Sequence, residues 1–399
     1  MNKHIAIFVD SRRRSGGAYQ ELLYIIRNFE KYKNKFKFSI IFSNKNLDIN
    51  LDNINFGIHY LEMNSPQRYI SYLRNYSNFF RKFKKFIFFS NKFEKLIKNK
   101  KIDLVYFTGP SEYSLYLEDT KFIITVPDVA HRENLEFPEM NNNSEFERRE
   151  DILAKVLPKA IAIVTNAKII KQRICFFYKV LSERVSIINH QPSLAVDNFS
   201  IFNEDHSSRI KKKFSLPDKY LFYPAMYFPH KNHKTLIDSI EKLKNENKKI
   251  NLVCCGNDVG YLHSIKKYAK LKNIEDQIIF LDYIDDEDLP YLYLNSSMLV
   301  MTSLIGPTNI PPWEAFKLNI PVIYPNLEGI KEIYNDCVSY YEPLDSTDLA
   351  NKINQLFNDT ELRNKLIKNG KNKIIEVVKK NEFFQVINQI KKFFEKQDL

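Results

Sequence analysis

Glycine is scarce in this chain, with nine in 399 residues, and no G-x-G-x-x-G run occurs. That excludes the dinucleotide fingerprint as the basis of a nucleotide site. The four cysteines (Cys175, Cys254, Cys255 and Cys337) lack metal-ligand spacing, and the adjacent pair sits inside the apolar run INLVCC. A zinc module and a disulfide framework are thereby excluded, and a reducing compartment is expected. No window approaches eighteen uninterrupted apolar residues, so no helix should span a bilayer. The chain passes from MNKH straight into IAIFVD without an apolar leader, and the expectation is a cytoplasmic protein. No cluster of ligands argues for a metal.

What is present is an ordinary globular composition, 44% apolar and 27% charged, in a length that accommodates two domains. The net charge of +12 implies affinity for something anionic: nucleic acid, acidic lipid or a phosphorylated small molecule. Charge alone does not choose among them. Short apolar runs alternate with longer amphipathic ones, the pattern of parallel sheets covered by helices. Strands are expected at 4–10, 36–43, 58–63, 102–108, 122–126, 160–165 and 185–189, then at 220–225, 250–256, 278–281, 298–303, 321–325 and 339–342. The expected fold class is α/β, with two Rossmann-like domains of parallel strands at 1–195 and 218–378. A polar, poorly periodic linker at 196–217 separates them, and a helix at 379–399 ends the chain. Gly16, Gly17, Gly109, Gly256 and Gly306 each follow an expected strand, where glycine admits a ligand close to the backbone. If the two sheets face one another, these corners line one cleft.

One stretch organises the rest: MLVMTSLIGPTNIPPWEAFKLNIPVIYPNLEGIKEIYN, residues 298–335. It reads as strand, loop (Gly306, Pro307, Thr308, Asn309), helix opening at Pro312, and second strand. Proline suits a first helical position, which places Glu314 in the first turn. There the carboxylate can grip ligand hydroxyls at the sheet edge, or simply favour the helix dipole as acidic residues generally do.

The wording of this stretch resembles the nucleotide-sugar site of retaining glycosyltransferases of family 4, which share the GT-B architecture. Those enzymes carry two glutamates separated by seven residues; Glu314-Ala315 and Pro321-Val322 match the second half, and Gly306 stands where the first glutamate would be. The resemblance implies that Gly16 and Gly17 lie beside the donor diphosphate, which Lys231 of HKN binds. Glu314 and the loop Gly306, Pro307, Thr308 and Asn309 would hold donor hydroxyls. An arginine usual five residues before the lysine is Met226 here, leaving His230, His233 or loop amides to contribute. In TVPDVAHRENLEFPE, the pattern D-x-x-H-R with F-P-E resembles the acceptor-side loop, making Asp128 and His131 catalytic candidates; a plain loop histidine is the other reading. The implied function is metal-independent, retaining transfer from a nucleoside-diphosphate sugar to a glycan or lipid-linked hydroxyl acceptor in bacterial surface polysaccharide or lipopolysaccharide assembly. A sugar-nucleotide epimerase and a non-catalytic sugar-nucleotide-binding subunit are the alternatives.

Residues 67–100 hold ten Lys/Arg and ten aromatics against one acidic residue, Glu94. A basic helix rich in aromatics suits an anionic membrane surface, and equally a core-facing helix with a solvated basic back. No nucleic-acid-binding module accompanies it, so nucleic acid is not an expected partner.

Overall fold

The structure, a computed structural model, describes residues 3–10, 16–45, 49, 54–82, 91–307 and 309–397. Two parallel sheets carry it. The first comprises β1 (His4–Val9), β2 (Lys37–Phe42), β3 (Gly57–Tyr60), β4 (Leu104–Phe107), β5 (Lys121–Thr125), β6 (Ala162–Thr165) and β7 (Val185–Ile187), in the order β3-β2-β1-β4-β5-β6-β7. The second comprises β8 (Tyr220–Pro224), β9 (Asn251–Cys255), β10 (Ile278–Leu281), β11 (Met298–Val300), β12 (Val322–Pro325) and β13 (Ser339–Tyr341), in the order β10-β9-β8-β11-β12-β13. Each strand expected from the sequence is present. Of the run expected at 298–303, the strand covers Met298–Val300, with the Met301 N–H still donating to the Ile323 carbonyl at 2.9 Å.

Chain contacts form two units, Met1–Glu133 with Asn141–Ile188 and Glu382–Leu399, and Asn134–Met140 with Asn189–Asn381. The change of unit therefore falls after Ile188, and 196–217 is part of the second unit. That segment contains the end of the helix Leu194–Asp197 and the helix Glu204–Lys213, which buries only Ser207 and Ile210 and so shows little periodicity. Lys213 and His206 both pair with Asp288 at 2.7 and 3.1 Å, fixing that helix to the second unit. The last helix, Phe384–Gln397, returns to the first unit after Asn381 adopts a left-handed conformation (φ 41). Phe383 meets Phe29 edge-on at 4.9 Å and Phe394 lies 6.4 Å from Phe36.

All six residues of β1 are buried, as expected for a parallel strand covered on both faces. The ring of Phe8 contacts Phe93, Phe107 and Tyr113 at 5.0–5.3 Å. Phe93 is thus core, and the segment 67–100 is not one basic helix: it holds the helices Ser65–Tyr76, Asn78–Lys82 and Lys92–Lys100. Its single acidic residue, Glu94, is buried and accepts hydrogen bonds from the backbone N–H groups of Glu118, Asp119 and Thr120. Arg74 pairs with Glu118 at 2.8 Å. Phe83, Phe86, Phe88 and Phe89 lie outside the described residues.

In the second unit, Trp313, Phe316 and Tyr334 pack at 5.5–6.0 Å beneath the sheet edge. A Cβ on Gly370 would stand 2.5 Å from a Phe316 ring carbon, so the helix Thr360–Lys380 presses directly on the helix Ile310–Lys317. Gly256, ending β9, is closer still to backbone: its Cβ would lie 2.5 Å from the Ala225 carbonyl oxygen. A backbone neighbour cannot rotate away, so Gly256→Ala should lower stability by about 1–3 kcal/mol in urea unfolding. An unchanged unfolding midpoint would contradict this close approach.

Candidate active site

In both sheets the strand order reverses beside the first strand, β1 against β4 and β8 against β11. Loops leaving such strands diverge and open a crevice at their carboxyl ends. In the second unit that crevice receives the turn after β8 and the loop after β11.

Lys231 ends a short turn, Pro229–Lys231, and Asn232 then caps the helix His233–Asn245, its side chain accepting from the Thr235 N–H. The backbone of Lys231 is pinned first. Its carbonyl accepts from Tyr223 Oη at 2.7 Å and from Thr302 Oγ1 at 2.9 Å, while the neighbouring His230 carbonyl accepts from the Leu304 N–H at 2.8 Å. The side chain is directed next, with Nζ 3.4 Å from Ser303 Oγ and 3.2 Å from Asn309 Oδ1. Lys231 and the Gly306–Asn309 loop, seventy residues apart in sequence or more, are therefore brought together as expected. Gly306 takes φ 86, a conformation that favours glycine.

Other expected roles change. Asn309 uses one acceptor and one donor of its amide internally, accepting from Lys231 and donating to Tyr324 Oη at 2.6 Å. Pro307 is buried, and Thr308 lies outside the described residues. The helix begins at Ile310 rather than Pro312, because Asn309 takes the extended cap conformation and both prolines fit inside the first turn. Glu314 consequently falls beyond that turn and is buried, 4% exposed, accepting from Tyr293 Oη at 2.6 Å. Burial raises its carboxyl above the usual range, while Ser193 and Tyr293 pull it back. His233 is also buried. Its two ring nitrogens lack partners, Tyr223 and Tyr227 flank it at 4.9 and 5.2 Å, and desolvation with the nearby Lys231 lowers it to about 3. A neutral core imidazole neutralises no phosphate. His230 is placed differently, its N–H and Nδ1 both on Glu139 Oε1 at 2.9 and 2.5 Å. The F-P-E segment, expected with the first domain, thus belongs to the second unit.

In the first unit, α1 (Gly17–Glu30) opens at Gly16, which has φ 61, and no side chain caps its first turn. Backbone N–H groups at such a helix start suit an anion. Asp128 is half-buried and accepts from the Ala130 N–H at 3.0 Å and from Arg149 at 3.1 Å. His131 is wholly buried. Its Nε2 lies 3.3 Å from Glu150 and 3.2 Å from Tyr178 Oη, and Glu150 also clamps Arg132. Desolvation lowers the His131 pKa against the Glu150 hydrogen bond, so the ring is neutral near pH 7 and donates from Nε2. His131 thus has no exposed surface, and its polar contacts are with Glu150 and Tyr178. The spacing D-x-x-H cannot tell such a histidine from an exposed one. The three arginines 12–14 lie outside the described residues.

The comparisons with known proteins come to the same two sheets. Residues 205–373 match the model of the family "Glycosyl transferases group 1". The chain is 24% identical over 223 residues to the serotype-specific mannosyltransferase WbdA of Escherichia coli, covering 55% of this chain and 26% of that one. It is 25% identical over 183 residues to the O-antigen chain mannosyltransferase RfbU of Salmonella typhimurium, covering 46% and 47%. It thus spans about a quarter and about half of the lengths of these relatives. Anabaena Alr3699/HepE in complex with UDP and glucose superposes with a TM-score of 0.71 at 14% identity, covering 99% of this chain and 100% of that one. The fold is GT-B, and the stretch that matches the family model lies within the second unit.

Glu21, in α1, has no hydrogen-bond or ion-pair partner among the described residues, and burial lifts its carboxyl from 4.5 to about 7. A raised carboxyl favours the protonated folded state, so its contribution is full below pH 4.5 and lost as pH rises through 7. Glu21→Gln should therefore gain thermal stability over the parent between pH 4.5 and 8, read as a widening difference in Tm. A pH-independent difference would show that Glu21 ionises normally.

Proposed function

We propose that this chain, whose second unit carries a glycosyl transferases group 1 domain, transfers a sugar from a nucleoside diphosphate to a hydroxyl acceptor with retention at the anomeric carbon. The observation that carries the reading is Lys231, a cation whose backbone and ammonium are each held by two partners at the strand-order reversal of the second sheet. Cleavage of the donor bond builds negative charge on the diphosphate and positive charge on the sugar ring. A preorganised lysine stabilises the former without reorganising at the moment of reaction. Gly16 and Gly17, at the start of α1, are a second place where an anion would be stabilised, and this handling of charge requires no metal. Glu314, held by Tyr293, is assigned to donor hydroxyls, and Asp128 to the acceptor side.

Similarity to bacterial mannosyltransferases and to a UDP-binding GT-B structure supports a nucleotide-sugar donor and a setting in surface polysaccharide or lipopolysaccharide assembly. A cytoplasmic location beside the membrane fits this setting. The exposed Tyr69 and Phe79 of the basic segment 67–100 support docking on anionic lipid there. Gly306 in place of a glutamate favours one rival, a subunit that binds sugar nucleotide without transferring it. Donors found by thermal shift separate the two, since only an enzyme hydrolyses or transfers them. Lys231→Ala should lower kcat about 100- to 1,000-fold in a protein that unfolds like the parent. Full transfer activity in that variant would remove Lys231 from the mechanism and the reading with it.

A further inference from the structure

We infer that Glu139 is a positioning residue for Lys231: by holding His230 it fixes the direction from which the ammonium meets an anion, and only the identity of that anion, a donor diphosphate, rests on the transfer reading above. Glu139 ends the F-P-E motif, to which that reading gives no role. The segment that carries it, Asn134–Met140, lies with Asn189–Asn381 in the second unit, although 91 residues separate Glu139 from His230. It is built of two successive turns, the Phe137 N–H donating to the Asn134 carbonyl at 3.3 Å and the Met140 N–H to the Phe137 carbonyl at 2.9 Å.

Every backbone polar group of His230 and Lys231 is bonded. The Lys231 N–H donates to the Phe228 carbonyl at 3.1 Å and closes the turn locally. The His230 carbonyl accepts from Leu304, and the Lys231 carbonyl from Tyr223 and Thr302. Only the His230 N–H looks outside the sheet and its loops, and Glu139 Oε1 takes it at 2.9 Å together with the ring Nδ1 at 2.5 Å. One oxygen thus fixes the main chain and the side chain of the same residue. The ring is confined as well, with Phe228 stacked on it at 5.4 Å and Phe137 edge-on at 6.3 Å. Lys231 follows directly, so a tilt of this turn moves the root of its side chain, and the long stem magnifies the movement at Nζ.

The second carboxylate oxygen argues against a pair kept for stability alone. Glu139 Oε2 is buried without a hydrogen-bond partner among the described residues. Such an oxygen destabilises the fold, and its retention beside a directed cation points to a need for that direction. A bystander carboxylate would act in the opposite sense, because its charge would repel an anion at Lys231. Removing a bystander tightens anion binding; removing a positioning residue weakens it.

The test measures binding of inorganic pyrophosphate, UDP and GDP to the full chain by calorimetry, with uridine and guanosine followed by saturation-transfer NMR. Glu139→Ala should weaken pyrophosphate and the better-bound nucleotide about tenfold, the scale of one charge-assisted hydrogen bond, and leave the nucleosides unchanged. Glu139→Gln loses the same charge but keeps an oxygen for both donors, and should bind the anions at least as tightly as the parent. In a Lys231→Ala background, Glu139→Ala should add no further loss, since the two act through one charge. Should Glu139→Ala not unfold like the parent in urea, Glu139→Asp takes its place; it keeps the charge, withdraws the oxygen and should show the same loss. Unchanged or tighter anion binding in Glu139→Ala, Glu139→Gln as weak as Glu139→Ala, losses additive with Lys231→Ala, or equal losses for the nucleosides would each overturn the inference. If pyrophosphate follows the expected pattern while UDP and GDP do not bind, the donor reading fails and the positioning role stands. If the nucleotides bind and Glu139→Ala leaves them unaffected, the role fails and the reading stands. A parent that binds none of these anions overturns both.

Discussion

A lysine is a long flexible stem with a hydrated charge at its end, and holding it still costs about 2 kcal/mol of rotamer freedom. At Lys231 that cost is met by an ordered set of contacts reaching well beyond the residue. Two hydroxyls grip its carbonyl, two side-chain oxygens direct its ammonium, and Asn309 is itself held by Tyr324 and Tyr334. Tyr334 packs on Trp313 and Phe316, and Phe316 is pressed by Gly370 of the long penultimate helix. The position of one charge therefore depends on an aromatic layer whose polar link to it is the Tyr334 hydroxyl on the Asn309 carbonyl.

The two sheets repeat one device with different chemistry. Each has a reversal of strand order beside its first strand, and each places chemically active side chains in the crevice this opens. In the second unit the crevice holds a directed cation. In the first it holds a carboxylate fixed by two serines, with an arginine and a glutamate nearby. The fold supplies the concavity, and the loops decide which side chains line it.

Buried polar groups explain where the expected chemistry moved inward. His131, His233 and Glu314 looked like surface chemistry in the sequence, and all three are nearly or fully enclosed. A histidine deprived of water is held neutral, and a carboxylate deprived of water resists ionising. Conversely, Asp10, Ser43, Ser111 and Arg68 carry no motif, and no spacing in the sequence marked them. They converge only because parallel pairing lines up the ends of β1, β2 and β4.

Sequence alone determined the α/β class and every strand, because apolar runs between amphipathic segments are properties of consecutive residues. It misplaced the unit boundary and the start of the helix at Ile310, since short polar helices carry little periodicity and proline fits more than one position of a first turn. Which side chains face solvent, which are walled in, and which distant ones share a chamber were decided by tertiary packing. Burial and convergence are set by neighbours far along the chain, and a side chain's charge and partners follow from them.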